Sequence, residues 1–380
     1  MLNLFNRRLL FMTRDRLTAY AWKQGGMVGR PKRFDPDEKG IKNFKKWIRK
    51  DLLTPCHLLI DLIDEEFHPD TVPHVLGPDR TAMVARRATK AFGKSPFSLA
   101  LFQDRESKKG RRDDRIVRAG LPNPEPLAQW IDPLVKAQVS LGGIHSLPLV
   151  SLALLRALKL VTPATLLVSQ QSTSGLRFSF FKGKYLKISR MARVPDNDPE
   201  KYSDLLVREL EKTQQYLRSL RLLSNDVPLS IAILSSADHL EAARPRFRDS
   251  ATQKFHLLTV TEVAKTIRIK RDITTPFSDS LFIQLLGLKP GRNHYATPKM
   301  RRFHLSRRLR TGLTVASLVV ASGSLGVSGF MLYKASVLES RWQENQRLTQ
   351  SLRMEYRQVI GHHLDVATDP GDIRKSVQLE

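Results

Sequence analysis

The chain has 380 residues, with 63 Lys plus Arg against 37 Asp plus Glu and a formal net charge of +26. That length accommodates two domains plus appendages, and that charge points to an anionic membrane surface or to nucleic acid. A single cysteine, Cys56, excludes an intrachain disulfide framework or cysteine-based metal cluster, and neither zinc-finger spacing nor an RRM-like aromatic pair is present.

At the start, MLNLFNRRLLFM is basic, but its apolar run is too short for a signal-peptide core. Two short strands are expected in Leu9–Trp22, turning at Arg14-Asp15-Arg16, because Leu17, Ala19 and Ala21 alternate with Thr18, Tyr20 and Trp22. Gly25-Gly26 predicts a second turn, with a strand at Met27-Val28. A helix is expected over Phe34–Leu53, with Asp35 as N-cap, Pro36 at N1 and Ile41, Phe44, Trp47 and Ile48 on one face. His57–Ile63 predicts a buried strand. Cys56, just before it, is expected to be a buried small side chain. Asp64-Glu65-Glu66 follows as a solvated acidic loop, without partners for catalysis.

Gly77–Gly93 is a basic helical segment. Phe97–Gln103 and Ile116–Leu121 are expected strands around a charged hairpin or loop, DRESKKGRRDDR, at 104–115. Residues 77–121 thus form a candidate inserted subdomain. Pro124–Leu141 predicts a helix, and Gly142-Gly143 a loop carrying His145 as a lone structural histidine. Without a following Gly-Lys-Ser/Thr, that Gly-Gly is weak as a phosphate loop. Leu149–Lys159 predicts a short helix.

The second half repeats this style. Thr165–Val168, Leu176–Phe181 and Tyr185–Arg190 predict a three-stranded meander with a tight Lys182-Gly183-Lys184 turn. A long amphipathic helix over Lys201–Leu223 follows, then a buried strand at Leu229–Leu234, a helix at His239–Phe247, a strand at His256–Val260 and a helix at Thr261–Ile267. Ser280–Leu288 closes the body.

Thr311–Tyr333, TGLTVASLVVASGSLGVSGFMLY, has no charged side chain. A bilayer core needs about 20 such residues as a helix, so this is an expected membrane span, a buried helix being the alternative. Arg301, Arg302, Arg307, Arg308 and Arg310 crowd its N-terminal side, with Lys289, Arg292 and Lys299 before them, whereas Lys334 and Arg341 follow. The positive-inside rule then places the body, 1–298, in the cytoplasm and 334–380 outside, with 299–310 as a basic juxtamembrane segment that attracts anionic inner-leaflet lipid. Gly312/Ala316 and Ser322/Gly326 are small-xxx-small pairs that permit close helix approach, although small residues are also common in spans. Leu338, Asn345, Leu352 and Val359 recur every seven residues, a coiled-coil-like stripe or an amphipathic surface helix. Adjacent His362-His363 makes a poor metal site, and Asp369-Pro370-Gly371 ends the helix.

The order meander, long helix, buried strand, helix, strand is carried by TLLVSQQSTSGLRFSFFKGKYLKISRMARV (165–194), YSDLLVRELEKTQQYLRSL (202–220) and PLSIAILSSADHLEAARPRF (228–247). It resembles the actin-like proteins of type IV pilus and type II secretion assembly platforms, including the secretion L component and the mannose-sensitive-pilus biogenesis proteins. The resemblance implies an α/β, actin-like (ribonuclease H-like) two-lobed cytoplasmic domain, one transmembrane helix and a short helical or coiled-coil tail. Nucleotide-binding members of this fold use Asp-x-Gly turns to cradle phosphates and a later Gly-Gly turn for adenosine. The corresponding stretches here are Met12-Thr13-Arg14-Asp15, Ser169-Gln170-Gln171 and Ser235-Ser236. Each adds a Cβ where close approach needs none, and Asp15 lies late in its turn.

The expectation is a non-catalytic inner-membrane scaffold with no catalytic residue, cofactor or metal. Its partners would be a bitopic membrane protein through the span and coil, a cytosolic motor component through the actin-like body, and in one variant a second copy of itself. An ATP-binding switch of the same machinery, or a membrane-anchored nucleic-acid-binding or regulatory protein, are the alternatives.

Overall fold

A computed structural model describes residues 6–93, 95–108, 111–195, 198–224, 226–269, 275 and 277–364. The chain divides into two compact units, Met1–Arg307 and Arg308–Glu380.

In the first unit, β1 (Arg7–Met12), β2 (Leu17–Lys23) and β3 (Gly26–Phe34) form an antiparallel meander. Helix α1 (Glu38–Arg49) follows and returns the chain to β4 (Cys56–Ile60), parallel to β1. The sheet is completed by β8 (Leu141–Ser146), giving the order β3-β2-β1-β4-β8. The second half builds the same sheet again. β9 (Thr165–Gln171), β10 (Gly175–Lys182) and β11 (Tyr185–Ala192) form a meander, and β12 (Leu229–Ser235) and β13 (Gln253–Thr259) add in parallel, in the order β11-β10-β9-β12-β13. Two sheets with the same strand order and directions, in one chain, are the duplicated lobes of the actin-like fold.

Helices flank both sheets: α3 (Glu125–Lys136) and α4 (Leu147–Ala157) in lobe 1, and α5 (Pro199–Ser219), α6 (Ala237–Ala243) and α7 (Val260–Thr266) in lobe 2. The apolar helix α8 (Asp279–Leu288) returns to lobe 1, burying Leu281, Phe282, Ile283 and Leu286. Gly287 lies against the Trp22 ring, where a Cβ would collide.

A third, three-stranded sheet is inserted between β4 and α3. It consists of β5 (Glu66–Pro73), β6 (Ser98–Lys108) and β7 (Arg111–Gly120), in the order β5-β7-β6, with α2 (Gly77–Phe92). The buried carboxylate of Asp114 ties its parts together. It accepts from Arg80 Nε at 2.9 Å, Arg105 Nε at 3.0 Å and His74 Nδ1 at 3.1 Å.

Several expected boundaries move. The first helix begins after Asp37, not Asp35, and β3 runs on to Phe34. Pro36 disfavours helical backbone at the preceding Asp35, and Asp37 caps by accepting from Gly40 N–H at 2.6 Å. Strand β5 carries Pro69 and Pro73, which weigh against a central strand; it lies at a sheet edge, where proline is tolerated. Of the two readings of 104–115, the structure has the hairpin, with Asp104–Lys108 paired antiparallel to Arg111–Arg115. Gly142-Gly143-Ile144 is the buried strand β8 rather than a loop, and the helix before it stops at Lys136.

Helix α9 (Pro298–Leu364) is continuous, and it is the one helix among the described residues long and apolar enough to cross a membrane. His362 and His363 lie at its end, where side chains are not described, and Asp369-Pro370-Gly371 lies outside the described residues.

Asp114→Ala is expected to destabilise the inserted sheet by about 2 kcal/mol, since it removes hydrogen bonds to a charged group. Limited proteolysis should show faster cleavage within 98–120 than in the parent protein.

Candidate functional site

The two lobes meet where the β1–β2 turn, the end of β4 and the β9–β10 turn converge. Arg177 on β10 is 1% exposed there. Its Nε donates to Asp61 Oδ1, just past β4, at 2.6 Å. Its Nη2 donates to Leu62 O at 3.0 Å, and its Nη1 to Ser189 Oγ on β11 at 3.0 Å. A guanidinium out of water is tolerated only when paired and hydrogen-bonded, and this one is. Ser174 Oγ also donates to Asp61 O, at 3.4 Å. A second bridge joins the inserted sheet to lobe 2: Gln103, buried on β6, donates to Leu186 O at 2.7 Å and accepts from Lys187 Nζ.

Both meander turns are occupied from within. Thr13 N–H closes onto Arg16 O at 3.0 Å. Ser172 N–H, in the β9–β10 turn, donates to both oxygens of Asp279 at 3.2 and 3.3 Å. Asp279 is the first residue of α8, where the helix dipole favours a carboxylate. An internal carboxylate therefore takes the turn amide that an outside anion would need. Burial pushes the Asp279 carboxyl up to about 6, and the nearby Asp61 adds to this against the Ser172 hydrogen bond.

At the third turn, Gln170 Oε1 accepts from Ser235 Oγ at 2.6 Å and lies 3.1 Å from His239 Nδ1. The His239 ring stacks on Tyr202 with centroids 4.2 Å apart. Ser278 Oγ donates to Gln170 O at 2.7 Å. Ser169, Gln170 and Gln171, expected to form the second turn, instead belong to strand β9, and the turn is Ser172-Thr173-Ser174. Asp15 is exposed in the first turn. A cavity of about 490 Å³ opens beside these turns, lined by Phe11, Arg16, Tyr20, Arg33, Phe277 and Asp279 among others. Among the described residues, no three His, Cys, Asp or Glu side chains are arranged to hold a metal ion.

Two groups differ from expectation. Glu65, expected in a solvated loop, is buried and accepts from the Tyr295 hydroxyl at 2.6 Å. Burial pushes its carboxyl up to about 7, against the pull of Arg177 and Tyr295. His145 is not alone: its Nε2 lies 3.3 Å from His57 Nδ1, and His294 packs on its other side with ring centroids 5.6 Å apart. Gly142 and Gly143 make room, because a Cβ on either would strike the His57 or His145 ring. Burial, aided by neighbouring positive groups, pulls His145 down to about 3, so it is neutral.

The sequence-expected residues of the span and tail are on α9. Arg301 and Arg307 are half-buried; Arg302, Arg308 and Arg310 are exposed. Gly312, Ala316, Ser322, Gly326, Leu338, Asn345, Leu352 and Val359 are all exposed along one continuous helix.

These features define a two-lobed actin-like body with an internally bonded cleft, followed by one long apolar helix. No protein-family description and no curated protein matches the chain. Solved structures do. The chain is similar to the PilM–PilN type IV pilus biogenesis complex at 11% identity, covering 75% of this chain and 99% of that one, with a TM-score of 0.48. It is also similar to the cytoplasmic domain of EpsL, an inner-membrane component of the type II secretion system of Vibrio cholerae, at 9% identity, 77% and 98% coverage and a TM-score of 0.41. A third likeness is a Bacteroides thetaiotaomicron protein with an actin-like ATPase fold, at 9% identity, 67% and 91% coverage and a TM-score of 0.38.

Removing one partner of the inter-lobe ion pair leaves a buried charge, so Asp61→Ala is expected to destabilise the body by about 3–5 kcal/mol. The double variant Asp61→Leu/Arg177→Met should recover most of that loss in denaturant melts. For Glu65 the native carboxyl, near 7, lies above its ordinary 4.5. The native state then holds the proton more tightly than the unfolded state, and stability falls as pH rises from 4.5 to about 7. Glu65→Gln should flatten that slope in melts taken between these pH values.

Proposed function

We propose that the protein is a single-span inner-membrane scaffold of a type IV pilus or type II secretion-like assembly platform. One observation carries the reading: an actin-like cleft whose turn amide and carboxylates are already bonded to one another, on a body that continues into one long apolar helix behind a basic run. Asp61 is paired with Arg177 and Asp279 accepts from Ser172 N–H, so two carboxylates of the cleft already have partners within the chain. The cleft then acts as a structural joint and the body as a docking surface for a cytosolic motor component. In this reading the body is cytoplasmic and the C-terminal helix is outside. There the Leu338–Val359 stripe and the small residues of the span would pair with a bitopic partner or a second copy.

Deleting the gene should abolish surface fibres or secretion, scored by electron microscopy and by assay of secreted protein; a deletion strain with normal fibres and secretion would sink the proposal. Titration of the purified protein with Mg-ATP should give no binding heat. Tight Mg-ATP binding would instead establish an ATP-dependent switch.

A further inference from the structure

Helix α1, EKGIKNFKKWIR, buries Phe44 and Ile48 and leaves Lys39, Lys42, Lys45, Lys46 and Arg49 exposed. Its C-terminal half faces the end of α3 across a groove of about 270 Å³. The floor of the groove is apolar, formed by Ile48, Pro133 and Ala137. Its rim is cationic, formed by Lys45, Arg49 and Lys136.

The loop after α1 exposes two leucines, Leu52 at 37% and Leu53 at 65%. This loop is built rather than slack: Asp51 Oδ1 accepts from Leu53 N–H at 3.0 Å and Thr54 N–H at 2.9 Å. Ser140, which follows α3, donates its N–H to Leu52 O at 3.2 Å. The Ser140 hydroxyl lies 3.0 Å from His304 Nδ1, in the first turns of α9. The cationic groove, the exposed leucines and the root of the apolar helix therefore share one end of lobe 1.

We infer that this end is a membrane-docking surface. The Lys45–Arg49–Lys136 groove takes the phosphate of an anionic lipid headgroup, and Leu52–Leu53 enter the interface beside it. The inference rests on the reading of α9 as a membrane span and deepens it: the folded body, and not only the basic run before the span, contacts lipid. The occupant follows from charge complementarity and from continuity with the helix that enters the bilayer. An anionic leaflet attracts each nearby Lys or Arg by about 1 kcal/mol, a factor of about five in partitioning, so three such charges contribute roughly a hundredfold. A headgroup phosphate satisfies the rim while the apolar floor meets the glycerol and upper chain, an arrangement matched by basic, leucine-bearing surfaces at membrane interfaces.

The test uses the full-length protein in lipid nanodiscs, with an environment-sensitive thiol probe on Leu53→Cys. The native Cys56 will not compete, being fully buried with its thiol pushed up to about 11. In discs containing phosphatidylglycerol, the probe should shift to the blue and be quenched by nitroxide lipids; in phosphatidylcholine alone it should not. Lys45→Gln/Arg49→Gln/Lys136→Gln, all exposed positions, should lower the ratio of docked to undocked protein by roughly a hundredfold with an unchanged circular dichroism spectrum. A probe at Asp238→Cys on lobe 2 should not respond. Equal probe signals in the two lipids, or a signal that survives the triple variant, would overturn the inference. So would a signal that appears only when an acidic protein is added, which would assign the groove to a protein partner. Carbonate extraction of each variant is read separately, because loss of insertion there would strike the span and not the docking surface.

Discussion

The interior of the body depends on one buried guanidinium. Arg177 leaves lobe 2 on a meander strand and ends in lobe 1, against Asp61 and the carbonyl of Leu62. Out of water, a guanidinium is costly unless every strong donor finds an acceptor. Parting the lobes would strip it of its carboxylate and its carbonyl together. Domain closure around a ligand normally works because the open and closed states differ little in energy until the ligand arrives. Here the closing contact is part of the chain itself, so it forms between the lobes' own residues. Gln103, reaching from the inserted sheet to Leu186, holds the same two halves at a second point.

The same logic extends to the turns. A backbone N–H aimed into a cleft is a general anion-binding device, and its partner is a matter of sequence. At Ser172 the partner is Asp279, carried in by the helix that returns to lobe 1. Seating that carboxylate raises its proton affinity, a sign that burial outweighs what the hydrogen bond returns. Glu65 shows the same imbalance. Two carboxyls whose proton affinity burial raises lie near the Asp61–Arg177 pair that joins the lobes. The proposed scaffold role needs a joint that is held: a platform transmits position to its partners only if its own lobes do not drift.

Much of this architecture was legible in the sequence, and the illegible parts share a cause. The meanders could be read because Arg14-Asp15-Arg16 and Lys182-Gly183-Lys184 interrupt alternating apolar runs. The resemblance then supplied the lobes. Strand β5 was hidden by Pro69 and Pro73, whose meaning depends on whether a strand lies at an edge, and β8 by a glycine pair. Those glycines look like a turn, but they are small because His57 and His145 need their space. The site was least legible of all. Asp61 and Arg177 are far apart in the chain, and each looks like an ordinary residue of its own segment. Glu65 stood in an acidic run whose neighbours Asp64 and Glu66 are exposed, and only the arrival of Tyr295 from the far end of the body explains its burial. Local pattern reports periodicity and turn chemistry; it does not report which polar side chains a fold will enclose together.

The large positive charge takes on a more specific meaning in this light. Proteins that hold single strands of nucleic acid pair cations with exposed aromatic faces on which bases stack. On α1 the aromatic residue is turned the other way: Trp47 stacks on Phe44, with centroids 6.0 Å apart, and covers the Arg8 guanidinium at 4.9 Å. What the helix and the loop after it offer outward is lysine and arginine beside bare leucine, the pairing suited to a headgroup layer over hydrocarbon. The basic run before the span carries the same chemistry along the chain. Both sets of cations favour the same leaflet in the proposed reading, so the charge that would orient the helix would also draw the lobe toward the surface it leaves from. In the proposed reading, the excess cations are the means by which a soluble-looking body is held flat against a membrane, at a fixed place for its partners to find.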